Sequence, residues 1–349
     1  MFHRHCYQAV AAALLLVVVA AQQDIASAAE SNAIPVKAPP TADLSFFSVN
    51  DSYLTYSYLP EGADPGVPGK TEKQIFSYSH FDIWAYGTNF ANFHLIKSDH
   101  SDPASPCGNY HAPVYGCAGA TEWVGQIRST FGWNDIFKTH AFTMGPLHGV
   151  SFEVGADVAT KNNFEAPART DVVAGLQFEF TLPYRGYFNV TPLYYQEWNH
   201  NTFLTPGFTK PYPGIPDGDT HYNPTWAVEI NYYLDLGFLP PSLQFFAISG
   251  RVGFYGPKGT GAAPGIVNPY YQTKTEIKTE PIRLTLDAGK ALWGQKHSQL
   301  VQLFVAYRYW ENKFGHNDQD PADRLCFTSG VNNGSCTEKS VYSGITVRF

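Results

Sequence analysis

The sequence predicts an all-β protein, a transmembrane antiparallel β-barrel of about twelve strands preceded by a cleaved signal peptide. Three observations predict this fold class. The composition of the 349-residue chain is poor in charge and rich in aromatic residues, at 15% each, with a mean hydropathy of -0.22. Short segments of alternating polarity follow one another from residue 50 onward. The last such segment occupies the final eleven residues of the chain.

The composition separates the two ways in which a protein can cross a membrane. Ordinary soluble proteins carry roughly 25% charged residues, so this chain is depleted in charge. A helical membrane protein needs about 20 consecutive apolar residues for each span. The one long apolar run, residues 9–21, is shorter than that. Few charges and many aromatic residues instead fit a barrel in which only the outer face is apolar.

The N-terminal segment has the three parts of a secretory signal peptide. Arg4 precedes the apolar run, and Ala-Ser-Ala at residues 26–28 follows it as a small-residue cleavage site. We therefore predict a signal peptide over residues 1–28; an uncleaved anchor is the alternative, which the length of the run disfavours. Residues 29–49 are polar and contain proline, and they are predicted to form a periplasmic lead-in. Residues 50–349 are predicted to form one barrel domain.

The strands are predicted from period-two alternation, which places successive side chains on opposite faces. The clearest segments are residues 149–158, 171–182, 225–236 and 299–311. In the final segment, Val341, Ile345 and Val347 share one face, and the segment ends on Phe349. A membrane barrel must pair its last strand with its first, so that no edge remains in lipid. A terminal strand that ends in Phe resembles the tag read by barrel-assembly machinery, which is therefore a predicted partner through Phe349.

The connections between the predicted strands differ in length at the two ends. Short connections at 183–186 and 240–241 alternate with long ones at 199–221, 256–270 and 312–338. Short periplasmic turns and long outer loops mark outer-membrane barrels, whereas a secreted β-sandwich, the alternative, has no such asymmetry. The sequence therefore predicts a location in the bacterial outer membrane, with membrane lipid as a partner and both termini in the periplasm.

Four cysteines remain after the predicted cleavage removes Cys6. They form two pairs, Cys107 with Cys117 and Cys326 with Cys336, each enclosing nine residues in a predicted surface loop. Beyond the inner membrane oxidation is permitted, so we predict two local disulfides that tie these loops. Four cysteines allow three pairings, and the sequence alone does not choose among them. Neither spacing is that of a zinc site, and no metal or cofactor is predicted.

Polar and aromatic residues on the inward face are the candidate site residues. A wet lumen lined with such groups suits the passage of a polar solute. For each residue alone, a wall residue that pairs across the interior is the alternative. Arg251 and Arg283 are expected to join the candidate lumen residues, which are Asp51, Tyr53, Asp82, Arg128, Glu153, Glu179, Glu229, Arg308 and Trp310.

An enzyme is the less favoured class. Outer-membrane barrels can carry a Ser nucleophile beside a His, and the nearest adjacent pairs here are Ser79–His80 and His297–Ser298. Immediate neighbours on a strand point to opposite faces, so neither pair is aligned for proton transfer. No catalytic residue is predicted. The formal net charge of -7 argues against a nucleic-acid partner.

Several segments together resemble the nucleoside-specific channel-forming (Tsx-like) family of outer-membrane proteins. The resemblance implies a twelve-stranded barrel with a narrow lumen that passes nucleosides. The segments stand in the expected order along the chain: Asn-Asp-Ser-Tyr-Leu-Thr-Tyr at 50–56, Phe81-Asp82, Tyr86-Gly87, Gly145-Pro146-Leu147, Arg308-Tyr309-Trp310 and the closing Phe349.

The predicted function is therefore a porin-like channel for passive diffusion of small polar solutes across the outer membrane of a Gram-negative bacterium. Nucleosides are the expected solute, because aromatic side chains can stack on a base and carboxylates can bond sugar hydroxyls. The alternative is a non-conducting outer-membrane barrel with a structural or surface-adhesion role.

Overall fold

The computed structural model describes residues 46–107, 116–163, 166–198, 222–258, 273–321, 323 and 325–349. These residues belong to one compact unit, Ser45–Phe349. The predicted signal peptide, residues 1–28, and most of the predicted lead-in, residues 29–49, lie outside the described residues. The first strand begins at Phe47 and so includes the last three residues of that lead-in.

Twelve antiparallel strands close into a barrel within the described residues, which confirms the predicted fold class. A separate two-stranded hairpin, β12 (Phe327–Thr328) with β13 (Val331–Asn332), lies in the connection that precedes the last strand. The barrel strands are β1 (Phe47–Asp64), β2 (Val67–Trp84), β3 (Gly87–Ser98), β4 (Thr121–Gly132), β5 (Leu147–Lys161), β6 (Ala168–Leu182), β7 (Gly186–Trp198), β8 (Thr225–Asp235), β9 (Phe246–Tyr255), β10 (Glu276–Asp287), β11 (Val301–Glu311) and β14 (Glu338–Arg348).

The barrel is closed by the pairing of β1 with β14. The register runs from Tyr53 opposite Arg348 to Tyr58 opposite Ser343. Apart from this closure, each barrel strand pairs with the barrel strands that precede and follow it in the chain. A closed sheet leaves no row of unpaired backbone groups.

The two faces of the wall differ in polarity as the alternation predicts. In β6, Asp171 and Gln177 point inward and are buried, while Val172 and Phe178 lie on the other face. Large apolar side chains remain exposed on the outside around the barrel, among them Leu54, Phe76, Trp123, Ile127, Val158, Trp226, Leu284, Val305 and Val341.

The two ends of the barrel carry different connections. Phe47 and Arg348 lie at the end where brief turns join β2 to β3 and β6 to β7, which we call the short-turn end. Two short helices, α1 (Trp133–Phe137) and α2 (Ala288–Trp293), and the 3-10 turns Pro241–Leu243 and Gln295–His297 also belong to this end. The long connections after β3, β7, β9 and β11 lie at the other end, the long-loop end, with the 3-10 turn Lys313–Gly315.

Two disulfides tie connections at the long-loop end. Cys107 bonds Cys117, and Cys326 bonds Cys336. Of the three pairings that four cysteines allow, the structure has the local one, so the predicted disulfides are confirmed.

No helix in the part of the chain that the structure describes is long and apolar enough to cross a membrane.

Candidate functional site

A group of charged side chains, the central cluster, crosses the lumen at mid-height. It consists of Arg128 on β4, Glu153 and Asp157 on β5, and Glu229 on β8. Arg128 donates two hydrogen bonds to Asp157, at 2.7 and 3.1 Å, and a third from Nη2 to Oε1 of Glu229 at 2.7 Å. All four residues are buried. Since β4 and β8 are four strands apart around the twelve-stranded barrel, the Arg128–Glu229 pair spans the lumen between strands that are not neighbours.

Glu229 also accepts hydrogen bonds from two residues of β9. Arg251 on β9 donates to its Oε2 at 3.0 Å, and the Tyr255 hydroxyl donates to its Oε1 at 3.0 Å. The other arm of the Arg251 guanidinium donates to the side-chain oxygen of Gln126 on β4. A second bridge therefore crosses the lumen beside the first. The Arg251 side chain is 39% exposed, so it covers the cluster from the side that is open to water.

Glu153 completes the cluster on the β5 to β7 wall. Its Oε2 accepts from Gln177 at 2.6 Å and from Thr191 at 3.3 Å, and its Oε1 lies 3.7 Å from Arg128 Nε. Buried carboxylates without such partners would be costly. Here every member of the cluster has a polar partner, so the cluster can rigidify the lumen.

Apolar side chains fill the lumen beside β1, β2, β3, β11 and β14. These inward-facing residues are at most 9% exposed. The Arg283 guanidinium lies 4.0 Å from the ring centroid of Phe304 and donates to the Tyr342 hydroxyl at 3.0 Å. This apolar cluster consists of Leu59, Ile75, Ile96, Phe304, Ala306 and Tyr342.

Trp310 and Arg308 on β11 point inward near the long-loop end. The indole N–H of Trp310 donates to Glu276 at 2.7 Å, and its ring packs against Phe314 at 5.6 Å and beneath the Lys313 ammonium at 4.2 Å. Arg308 pairs with Glu338 at 2.9 Å. Trp310 is 6% exposed, so in this structure its ring is covered and its donor is already in use.

A more open compartment, the vestibule, lies between the central cluster and the short-turn end. It is lined by Tyr187 and Asn189 on β7 and by Asn231 and Tyr233 on β8. The two tyrosine rings are stacked, with centroids 6.2 Å apart and planes at 21°, and Tyr187 is 45% exposed. Asn189 donates to Asn231 at 3.2 Å. Asn231 lies opposite Arg251 in the sheet register, so the vestibule ends at the central cluster.

Three further candidate residues lie on the inward face near the short-turn end. The Tyr53 hydroxyl donates to Asp51 at 3.2 Å, and Arg348 Nε lies 3.5 Å from the same carboxylate. Glu179 on β6 accepts a short hydrogen bond from Ser151. The Tyr53 hydroxyl acts here as a hydrogen-bond donor to a carboxylate.

Asp82 is the one candidate lumen residue that the structure places elsewhere. Phe81, not Asp82, lies opposite the inward-facing Asp51, and Asp82 lies opposite Asn50. Asp82 therefore shares the outward face of β2 with Tyr78 and His80. The sequence misled because His80 and Asp82 alternate with Phe81 and Ile83 in the phase opposite to that of the other strands, so polarity alone pointed Asp82 inward. The other eight candidates lie on the inward face, and their contact with a solute stays a prediction.

Tyr187 and Tyr255 are among the lumen residues that the prediction missed. Both lie on the inward face of strands whose alternation contains aromatic residues on both sides. Tyr187 is followed by Phe188, and Tyr255 is preceded by Phe254, so polarity alone could not decide which ring points inward. The short turn at 183–186, which sets the phase of β7, was the signal that could have placed Tyr187.

One group of possible metal ligands occurs among the described residues, in the connection after β11. His316 Nδ1 lies 2.9 Å from Asp323, and the Cys326 sulfur is nearby. Since Cys326 is in a disulfide, it has no thiolate to offer a metal. Burial would raise the pKa of Asp323, but hydrogen bonds from His316 and from the backbone N–H groups of Asn317 and Leu325, with the His316 charge, hold it below its usual range. These contacts stabilise the folded conformation of the loop.

The faces of the barrel define the class of protein. Every barrel strand pairs on both sides, the outside is mostly apolar, and the inside holds charged and hydroxyl groups beside the apolar cluster. Within lipid, a closed barrel of this kind satisfies all backbone groups internally. The chain is an outer-membrane β-barrel in contact with membrane lipid, and the predicted location is confirmed.

Comparison with known proteins gives similarity at the level of the barrel. No family model matches the chain, and no curated protein matches it. Among solved structures, it is similar to an outer membrane channel from Pseudomonas putida F1, at 7% identity and a TM-score of 0.43, over 88% of this chain and 99% of that one. It is also similar to the translocator domain of the autotransporter NalP from Neisseria meningitidis, at 9% identity and a TM-score of 0.38, over 86% and 88%. At these scores the likeness carries no argument about function.

Proposed function

We propose that the protein is a passive outer-membrane channel for small polar solutes, with the central cluster as its narrowest section. The observation that carries the proposal is that the water-exposed vestibule ends at Arg251, a single side chain that bridges Glu229 and Gln126. A side chain can reorient without disturbing strand pairing. Glu229 would keep Arg128 and Tyr255 as partners if Arg251 swung into the vestibule.

Nucleosides are the proposed solute. The stacked Tyr187 and Tyr233 present aromatic faces for a base, and Asn189 and Asn231 offer amide groups for sugar or base hydrogen bonds. These contacts are weak and several, which suits passage better than one tight pocket. The vestibule is proposed as the stacking site, rather than the candidate lumen residue Trp310, because the Trp310 ring is already covered.

A second candidate function is a non-conducting barrel with a structural or surface-adhesion role. The apolar cluster favours it, because side chains such as Leu59 and Phe304 fill part of the lumen almost without exposure. The two candidates differ in one measurable property, which is whether ions cross the barrel. Recognition of Phe349 by barrel-assembly machinery stays a prediction under either candidate.

Conductance in planar bilayers tests the proposal. Refolded wild-type protein should give discrete openings, and Arg251→Ala should enlarge them because one bridge across the lumen is removed. Added nucleoside should block the current of the wild type and block it less in Tyr187→Ala. Tyr194→Ala is the matched control, since Tyr194 lies on the same strand and faces outward, 52% exposed.

The outcomes separate the two candidates. If neither the wild type nor Arg251→Ala conducts, the channel proposal is wrong and the non-conducting barrel stands. If the wild type conducts but nucleosides and free ribose have equal effect, the channel stands and nucleoside selection is wrong.

A further inference from the structure

A row of polar side chains runs across four strands on the outer, lipid-facing surface of the barrel. This outer polar row consists of Ser52 on β1, His80 and Asp82 on β2, Asn89 on β3 and Ser129 on β4. The Ser52 hydroxyl lies 3.0 Å from His80 Nδ1, and His80 Nε2 lies 3.5 Å from Asp82 Oδ2. Asn89 donates to Asp82 Oδ1 at 2.8 Å, and Ser129 donates to Asn89 at 2.8 Å.

The sheet register places this row on the outside. Ser52 lies opposite His80, and the next pair along the same face is Leu54 opposite Tyr78. Leu54 is 55% exposed. The alternate residue Ser79 points inward and donates to Asn92 at 3.1 Å.

Apolar and aromatic side chains flank the row on both sides along the strands. Leu54 and Phe76 lie toward the middle of the barrel, and Trp84, stacked on Phe46 at 6.0 Å, lies toward the short-turn end. Trp side chains mark the membrane interface. His80 is four residues from Trp84, which is about 10 Å of depth for a tilted strand. The row therefore lies near the boundary between lipid headgroups and acyl chains.

An ionisable pair on a lipid-facing surface needs an explanation, because charged groups at membrane depth are costly and rare. Strand pairing does not require it, since the backbone pairing of β1 to β4 runs past these residues without a register shift. Asp82 is only 5% exposed and is held from the side away from His80 by Asn89. His80 is thus placed between a hydroxyl that it can deprotonate and a fixed carboxylate.

We infer that Ser52, His80 and Asp82 form a site on the outside of the barrel that hydrolyses carboxylic esters of membrane lipids. Ser52 is the nucleophile, His80 the general base and then general acid, and Asp82 a positioning residue that orients the imidazole. The Tyr78 hydroxyl, 3.3 Å from Ser52 Oγ, is placed to donate to the developing oxyanion. Lipid esters are the substrate class because lipid is what contacts this face.

The proposed chemistry balances with water as the only co-reactant. Ser52 Oγ bonds to the acyl carbonyl carbon as its proton passes to His80. The tetrahedral intermediate collapses, the bond from the acyl carbon to the alcohol oxygen breaks, and His80 returns the proton to that oxygen. Water from the interface then attacks the acyl-serine, with His80 taking and returning a proton, and releases the fatty acid. The net reaction is ester plus water to acid plus alcohol.

No catalytic serine was predicted from the sequence, because Ser79 and His80 are neighbours on one strand and face opposite sides of the sheet. The structure agrees on that pair and supplies a different serine. Ser52 is 28 residues away in the chain and becomes the partner of His80 only through the β1–β2 register.

Two measurements on the refolded full barrel in mixed micelles and in phospholipid vesicles test the inference. The first is release of fatty acid from a phosphatidylethanolamine, and the second is covalent labelling by a fluorophosphonate, located by peptide mass spectrometry. The wild type should release acid and carry the label on Ser52. Ser52→Ala and His80→Asn should lower the rate by about 100-fold or more, and Ser52→Ala should lose the label.

Ser79→Ala is the matched control, because Ser79 is adjacent in sequence but faces the lumen. It should keep both activity and label. Asp82→Asn should lower kcat with KM unchanged, with rates normalised to the amount of heat-modifiable folded barrel, because the positioning carboxylate does not contact substrate.

Three results would overturn the inference. One is the absence of both hydrolysis and labelling by folded wild type in micelles and vesicles. Another is activity that persists in Ser52→Ala, which would come from a contaminant. The third is a label on any residue other than Ser52. Each leaves the conductance of the barrel unaffected, so failure here is distinct from failure of the proposed channel.

Discussion

Removal of the Glu229 carboxylate is the sharpest test of the central cluster. Glu229→Ala leaves the guanidinium groups of Arg128 and Arg251 without their shared partner. Glu229 accepts from Arg128 at 2.7 and 3.4 Å, from Arg251 at 3.0 Å and from Tyr255 at 3.0 Å. Removing one partner of a buried ion pair costs about 3–5 kcal/mol.

The lower end of that range applies here, for two reasons visible in the structure. Arg128 keeps its two hydrogen bonds to Asp157. Arg251 is 39% exposed and can be hydrated from the vestibule. We therefore expect Glu229→Ala to lower the free energy of unfolding by about 3 kcal/mol. Glu229→Gln, which keeps an acceptor oxygen and the shape, should cost about 1–2 kcal/mol.

Equilibrium urea unfolding of the barrel in lipid vesicles, followed by tryptophan fluorescence, measures these losses. Glu61→Ala is the control, because Glu61 is exposed at the end of β1, and its effect should stay within about 0.5 kcal/mol. A loss below about 1 kcal/mol for Glu229→Ala would be that of a solvated surface pair. It would refute the view that Glu229 is a buried partner shared by two arginines.

Two further predictions concern the loop between β11 and β14. Replacing both Cys326 and Cys336 by Ser opens a loop closed across 10 residues, which should destabilise the loop by about 3 kcal/mol. Limited proteolysis should then cut this connection while the barrel stays heat-modifiable. Unchanged protease resistance would contradict the prediction. The folded pKa of Asp323 lies below its unfolded value, so the ionised carboxylate stabilises the loop above about pH 4 and the stabilisation is lost as pH falls through the lower folded value. The protection factors of the Asn317 and Leu325 amides, which are corrected for the slower intrinsic exchange in acid, should fall as the pH drops in the wild type but show no such step in Asp323→Asn. An unaltered step in that variant would show that another group is responsible.

The barrel could be predicted from the sequence because its outer face repeats one simple requirement. Every second residue of β6 must tolerate lipid, so Val172, Leu176 and Phe180 reveal both strand and phase. Where that requirement is relaxed, as around Asp82, the residue types do not show which side chains face inward and which face outward. Their orientation is set instead by pairing with β1, which joins residues far apart in sequence.

The candidate site was predictable in its residues but not in its arrangement. Alternation points Arg128 and Glu229 inward, yet it does not say that they meet across four strands. That depends on the tilt and stagger of the whole barrel. For the same reason, alternation could not predict that Ser52 contacts His80. Nor could it predict that the lumen is packed near Trp310 and open in the vestibule near Tyr187.

The pairing of β1 with β14 constrains how this molecule can be made. The hydroxyls of Thr55 and Thr346 lie 2.9 Å apart although 291 residues separate them. Before that seam forms, two strands present bare N–H and C=O groups that hydrocarbon cannot solvate. Insertion and sealing must therefore be coupled, and the slowest encounter is between the most distant parts of the polypeptide. A partly built wall has no stable place in the bilayer, so the molecule enters it essentially whole.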